Sequence, residues 1–115
     1  MNKNKDIVEQ TLLYDFYGEL LTEHQRRIYQ EVVFDDYSIS EVAKDEGISR
    51  QSVSDMIHRI DEALCGYEKK LGLVGQFNAT KKTIKKISTL IKKYRSDHNE
   101  THIDKIDVLI QGLLK

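Results

Sequence analysis

The stretch from Ser38 to Leu64, SISEVAKDEGISRQSVSDMIHRIDEAL, decides how this chain is read. Ser38 is a helix-capping residue, and Glu41, three positions on, can reach back to its amide; Tyr37 and Val42 flank that box at the spacing of a hydrophobic staple. Only a short helix fits before Gly47, a residue that ends helices by turning left-handed. Ile48 and Ser49 follow. Ser49 is a second cap, and Ile48 with Val53 repeats the staple. A short helix, a glycine turn and a capped restart predict a helix-turn-helix. The second helix carries Val53, Ile57, Ile60, Leu64, Tyr67 and Leu71 at spacings of four and three, so it is expected to be long and to end near Gly72.

Upstream, Val8, Leu12, Phe16 and Leu20, widened by Leu13 and Tyr17, predict a first helix from Ile7 to about Leu20. Thr22 and Gln25 form a capping box that opens a second helix through Ile28, Tyr29, Val32 and Val33, ending near Asp35 and Asp36. Downstream, Gly72 and Gly75 read as an interruption. NATKKTIKKISTLIKKYR then restarts a helix with Ile84, Ile87, Ile91 and Tyr94 on one face and lysine on the others. The polar stretch from Ser96 to Glu100 breaks the pattern. Thr101, followed by Asp104, begins a last helix with Ile103, Ile106, Ile110 and Leu113 on one face. The expected fold class is all-α, with about six helices and a core of Leu13, Phe16, Ile28, Val32, Val42, Ile48, Val53, Ile57 and Ile60. Residues 1–72 are expected to form the helix-turn-helix domain and 73–115 a basic C-terminal helical extension.

Composition agrees with that class. The chain has 115 residues, 39% hydrophobic and 32% charged, with no proline to break a helix. Its one cysteine, Cys65, cannot form an intrachain disulfide, and no apolar run approaches the roughly 18 residues of a membrane span. The opening MNKNKDIVEQ lacks the apolar core of a leader peptide, so a cytoplasmic protein without membrane contact is expected. The net charge of −1 hides an asymmetry. Met1 to Gly66 holds seven Lys/Arg against fourteen Asp/Glu, a net of −7, whereas Tyr67 to Lys115 holds eleven against five, a net of +6. Between Lys69 and Arg95 there are nine basic residues and no acidic one, and an acidic front with a basic back implies either two functional surfaces or one half neutralising the other.

The stretch from Ser38 to Leu64 resembles region 4 of sigma-70-type factors, the helix-turn-helix that reads promoter elements, over roughly Thr22 to Leu64. The strings LLYDFYGELLT, EHQRR, DDYSISEVA, ISRQSV and YEKKLGL resemble more closely the YlxM family of small bacterial helix-turn-helix proteins, from Leu13 to about Phe77. The tail beyond Phe77 carries little of that likeness. The resemblance implies a sigma region 4-like bundle with a long recognition helix, and a DNA-binding or regulatory role. It also implies a link to the signal recognition particle pathway through the neighbourhood of the family's genes. The alternative is a non-DNA adaptor, or an accessory protein that binds the backbone of the particle's RNA.

The residues themselves nominate two surfaces. With Val53, Met56, Ile57 and Ile60 facing inward, the recognition helix turns Arg50, Gln51, Ser54, Asp55 and His58 outward. Arg and Gln at the start of such a helix are the side chains that grip guanine and adenine edges, and Ser49, with Arg59, is placed for phosphate. Against this, Ser38 to Leu64 holds three basic and six acidic residues, whereas DNA affinity rests on neutralising phosphate. The second surface is Lys81, Lys82, Lys85, Lys86, Lys92 and Lys93, which fit a nucleic-acid backbone, the acidic half of a partner chain, or a merely solvated face. Only Phe77 and Tyr94 supply aromatics nearby, too few for base stacking.

His98 and His102 lack the order of a zinc motif, the glycines form no phosphate loop, and Asp35-Asp36 and Asp61-Glu62 do not face one another across a cleft. No enzyme, cofactor or metal site is expected. A homodimer through the C-terminal half is expected, because the last helix is strongly apolar and helix-turn-helix proteins pair to address successive grooves; the alternative is that these helices fold back and cover their own chain's core.

Overall fold

In the computed structural model, which describes residues 7–115, every regular element is helical. The six α-helices are α1 (Ile7–Tyr17), α2 (Glu23–Tyr29), α3 (Ile39–Glu46), α4 (Arg50–Leu71), α5 (Leu73–Asp97) and α6 (Glu100–Leu113). A 3-10 turn at Gly18–Leu20 closes α1, and a wider π turn at Gln30–Phe34 extends α2. The all-α helix-turn-helix class expected from the sequence is the class observed. Among the described residues no helix is long and apolar enough to cross a membrane.

The helix starts and stops are set locally. At α2 both halves of the capping box form: the Thr22 side chain accepts from the Gln25 amide, and the Gln25 side chain accepts from the Thr22 amide. Ser38 accepts from the Glu41 amide at 3.1 Å, and Ser49 from the Ser52 amide at 3.0 Å. Gly47 takes φ +68°, a left-handed conformation that costs other residues about 1–2 kcal/mol. Its amide bonds to the Lys44 carbonyl and the Ile48 amide to that of Ala43, the two-bond cap that ends α3 and turns the chain. Gly72 ends α4 in the same region, at φ +64°.

The chain divides into two compact units, residues 1–74 and 75–115. The first holds the core: Leu13, Tyr17, Leu21, Ile28, Tyr29, Val42, Ala43, Val53, Ile57, Ile60, Leu64 and Val74. Three expected core residues fall outside it, two of them exposed. Phe16 is 38% exposed, because α1 packs through Gln10, Leu13 and Tyr17, one position round from the stripe of Val8, Leu12 and Phe16. Ile48 is 39% exposed, because the glycine turn holds it at the rim of the unit rather than beneath it. Val32 is half-buried against the core.

Polar groups fix the packing. The buried Tyr29 hydroxyl donates to the carboxylate of Asp61, which is itself 5% exposed, and Gln10 approaches the same hydroxyl at 3.5 Å. Burial, then the Asp61 hydrogen bond, pushes the Tyr29 hydroxyl far above the ordinary tyrosine range. Glu46 at the end of α3 takes hydrogen bonds from His24 and Arg27 of α2.

The Gly75 interruption expected from the sequence does not exist. α5 starts at Leu73 and runs through Gly75 and Asn78 without a break. Its first amides are satisfied from a distance: Leu73 donates to the Tyr17 hydroxyl at 3.0 Å and Val74 to the Glu68 carboxylate at 3.0 Å, while Tyr17 donates to Glu68. A helix whose orphan donors are met in this way needs no cap of its own.

The second unit is a helical hairpin. His98 takes φ +55° after α5, and Asn99, not Thr101, caps α6 by accepting from the Thr101 amide at 3.0 Å. Asp97 braces this corner, accepting from the Asn99 amide and pairing with His102 at 3.0 Å; the His102 bond comes first in holding its carboxyl below the ordinary range. No residue of α6 is fully buried.

Candidate nucleic-acid interface

The recognition helix α4 is positioned by the burial of Val53, Ile57, Ile60 and Leu64, spaced four, three and four. That stripe leaves Arg50, Gln51, Ser54, Asp55, His58 and Arg59 exposed on the remaining arc. Ser49, Arg50, Gln51 and Ser54 line one shallow groove with Ser38, Ile39 and Ser40. The starts of α3 and α4 therefore open onto the same groove. Each start presents backbone amides without helical partners and the positive end of a helix dipole. The Ser38 cap was legible locally, but that Ser38 to Ser40 stand beside Arg50 is a product of the turn at Gly47 and no sequence spacing displays it.

The other two candidates on α4 lie apart from that groove. Arg59 lines a separate depression with Thr22, His24, Gln25 and Met56, and His58 pairs with Glu62 one turn on, at 2.7 Å. Gln51, a candidate base reader, donates its amide to Asp55 at 2.9 Å. Two of the six acids in the charge count, Asp55 and Glu62, are thus bound to candidate side chains. Their i, i+4 spacing was visible in the sequence and is the signal for such pairs.

In the second unit all six lysines are exposed on α5, and among the described residues none is held in an ion pair within 4 Å. Lys81, Lys85 and Lys92 follow one row of the helix and Lys82, Lys86 and Lys93 the next. The rows span about 18 Å at 1.5 Å per residue. Lys85, Lys86, Leu90 and Lys93 of α5 line a groove with Asp104, Lys105, Val108 and Leu109 of α6. Lys81 lies over the Phe77 ring, 6.0 Å from its centre. Among the described residues no three His, Cys, Asp or Glu side chains gather as a metal site.

Comparison with known proteins is consistent across nearly the whole chain. The family UPF0122, described as "Putative helix-turn-helix protein, YlxM / p13 like", matches residues 3–106, so the likeness extends well past Phe77 into α6. A UPF0122 protein of Caldanaerobacter subterraneus subsp. tengcongensis is 45% identical over 86 residues, 75% of this chain and 74% of the relative. One of Desulforamulus reducens is 32% identical over 111 residues, 96% of this chain and 95% of the relative. One of Thermoanaerobacter sp. (strain X514) is 40% identical over 101 residues, 88% and 86% of the two chains.

Proposed function

We propose that this chain, which belongs to the UPF0122 family of YlxM / p13-like helix-turn-helix proteins, is a DNA-binding regulatory protein acting in the signal recognition particle pathway. The observation that carries this reading is the groove where the starts of α3 and α4 meet beside Arg50. Two positive helix ends make a seat for a phosphate beside Arg50, with Ser49 as a further contact. Arg50, Gln51, Ser54 and His58 then face base edges, and Arg59 meets a neighbouring phosphate. The lysines Lys81, Lys82, Lys85, Lys86, Lys92 and Lys93 supply the larger, sequence-independent share of the affinity through counterion release. Two copies act together, joined through the C-terminal half, so that two reading heads address one duplex.

A second reading is favoured by the Gln51–Asp55 and His58–Glu62 pairs, which place negative charge on the reading face itself. On that reading the fold is kept as an adaptor, and the lysine rows bind the backbone of the particle's RNA, where an A-form helix offers phosphates and hydroxyls. Selection from random duplexes, followed by binding across a salt series, separates the two. DNA reading expects an enriched sequence and a loss of its preference in Arg50→Ala. The RNA reading expects no enrichment, steep salt dependence, and loss of affinity only when the six lysines are changed to glutamine.

A further inference from the structure

We propose that Ile39, at the start of α3, reads the C5-methyl group of a thymine in the major groove of DNA, beside the base pair met by Arg50. This rests on the reading that the groove between the starts of α3 and α4 takes DNA, and it names a base which that groove selects.

A single exposed apolar residue is ordinary on any surface. Ile39 is set apart by its company. It is 36% exposed, and the six other residues that line its groove, Ser38, Ser40, Ser49, Arg50, Gln51 and Ser54, are all polar. Its place follows from the helix. Val42 and Ala43 anchor α3 in the core, and Ile39 lies three and four residues before them, on the same side of the helix and one turn nearer its start. The row that is core at Val42 has left the core at Ile39 and opens beside Arg50.

A hydrocarbon offers a phosphate nothing, so the amides and hydroxyls at the two helix starts take the phosphate and Ile39 does not. Nor can it hydrogen-bond a base edge. Of the groups that base pairs present in the major groove, the thymine methyl is the one apolar group of any size, and contact with an apolar side chain is how it is recognised. That methyl projects towards the backbone of its own strand, so it stands close to a phosphate. The first helix of a helix-turn-helix crosses the backbone, and a residue at its start can touch the methyl without entering the floor of the groove. Ile39 and the phosphate seat share one groove, which matches that juxtaposition.

Few other readers are open. The Gln51 amide is already engaged by Asp55 at 2.9 Å, whereas Arg50 is in no ion pair within 4 Å among the described residues. Arg50 on a guanine and Ile39 on a thymine then carry the selection, and the two bases lie within a step or two of each other. An RNA helix carries uracil in place of thymine and keeps its major groove closed to side chains, so the same contact separates DNA from RNA.

The test is binding of the full chain to a duplex enriched by selection, with each thymine replaced in turn by deoxyuridine. That change removes one methyl and keeps every hydrogen bond of the base pair. At one thymine of each site bound, affinity should fall about fourfold, the worth of one buried methyl group, and the other thymines should tolerate the change. Ile39→Ala should bind the thymine and deoxyuridine duplexes alike, and Ile39→Val should restore most of the difference. Should Ile39→Ala lose helical circular dichroism, Ile39→Thr, which keeps the branched shape, takes its place, and the parent's own comparison needs no variant. Equal binding of every deoxyuridine duplex by the parent overturns the inference and leaves DNA reading intact. A methyl effect of full size in the folded Ile39→Ala gives the contact to another residue and overturns it as well. A selection that enriches no sequence, with RNA bound as tightly as DNA, overturns the DNA reading and this inference together.

Discussion

Changing Tyr29 to phenylalanine should destabilise the first unit more than the loss of one hydroxyl ordinarily does. The ring stays: Tyr29 is fully buried, stacks on Tyr14 at 5.7 Å and meets Phe34 at 5.9 Å, so phenylalanine fills the same space. What goes is the donor to Asp61, whose other carboxylate oxygen already has no hydrogen-bond partner among the described residues. A hydrogen bond to a charged group contributes about 1.5–3 kcal/mol, and a buried charge left alone costs about 3–5 kcal/mol. About 3 kcal/mol is therefore expected. At about 4–8 °C per kcal/mol for a unit of this size, the melting temperature should fall by about 12–24 °C. Near-ultraviolet circular dichroism is the suitable probe, since five of the six tyrosines lie within residues 1–74 and report that unit's packing. Tyr29→Phe combined with Asp61→Leu should recover most of the loss, because the stranded charge is then absent. A single variant melting within about 3 °C of the parent would refute the reasoning, and so would a double variant no better than the single.

Three further outcomes are expected. The His24 hydrogen bond, with the Arg27 charge added, holds the Glu46 carboxyl below the ordinary carboxylate range, so its stabilisation is present above about pH 4–5 and lost as pH falls through the lowered value; a parent and a Glu46→Gln variant should differ in melting temperature at pH 6 and converge as pH falls through that lowered value. Gly47→Ala should cost about 1–2 kcal/mol in urea unfolding, because a Cβ there meets no neighbour and the whole penalty is the left-handed backbone; an unchanged midpoint would contradict that. Asp55→Asn removes one negative charge from the reading face while leaving an acceptor for Gln51, and should tighten duplex binding about fivefold at low salt, the worth of about 1 kcal/mol of surface repulsion; unchanged affinity would place the contact elsewhere.

The helix-turn-helix was legible in the sequence because its signals are local. Thr22 with Gln25, Ser38 with Glu41 and Ser49 with Ser52 each satisfy an amide within three residues, and Gly47 and Gly72 need only their own backbone freedom. Periodicity likewise found the buried stripe of α4, where Val53, Ile57, Ile60 and Leu64 alternate with polar neighbours of which Asp61 alone is buried. The outward candidates Arg50, Gln51, Ser54 and His58 follow from that stripe by subtraction.

Where several faces are equally apolar, the pattern loses its power. α1 reads IVEQTLLYDFY, and Phe16 and Tyr17 offer stripes of similar size; Tyr17 is the one inside because its hydroxyl finds Glu68 and the Leu73 amide, 51 and 56 residues away. Those same bonds start α5 at Leu73 and carry it through Gly75, where a reading confined to neighbours sees two glycines and a break. Gln10 and Asp61 are buried for a related reason: Tyr29 gives each a hydrogen-bonding partner across the core, and without one the cost of removing a polar group from water would keep it at the surface. The sequence by itself thus determined the class of fold, the helix ends closed by near neighbours, and the outward face of α4. Tertiary structure alone decided which face of α1 is inside, where α5 begins, and that Ser38 to Ser40 share a groove with Arg50, since each depends on groups that only folding brings within 3–4 Å.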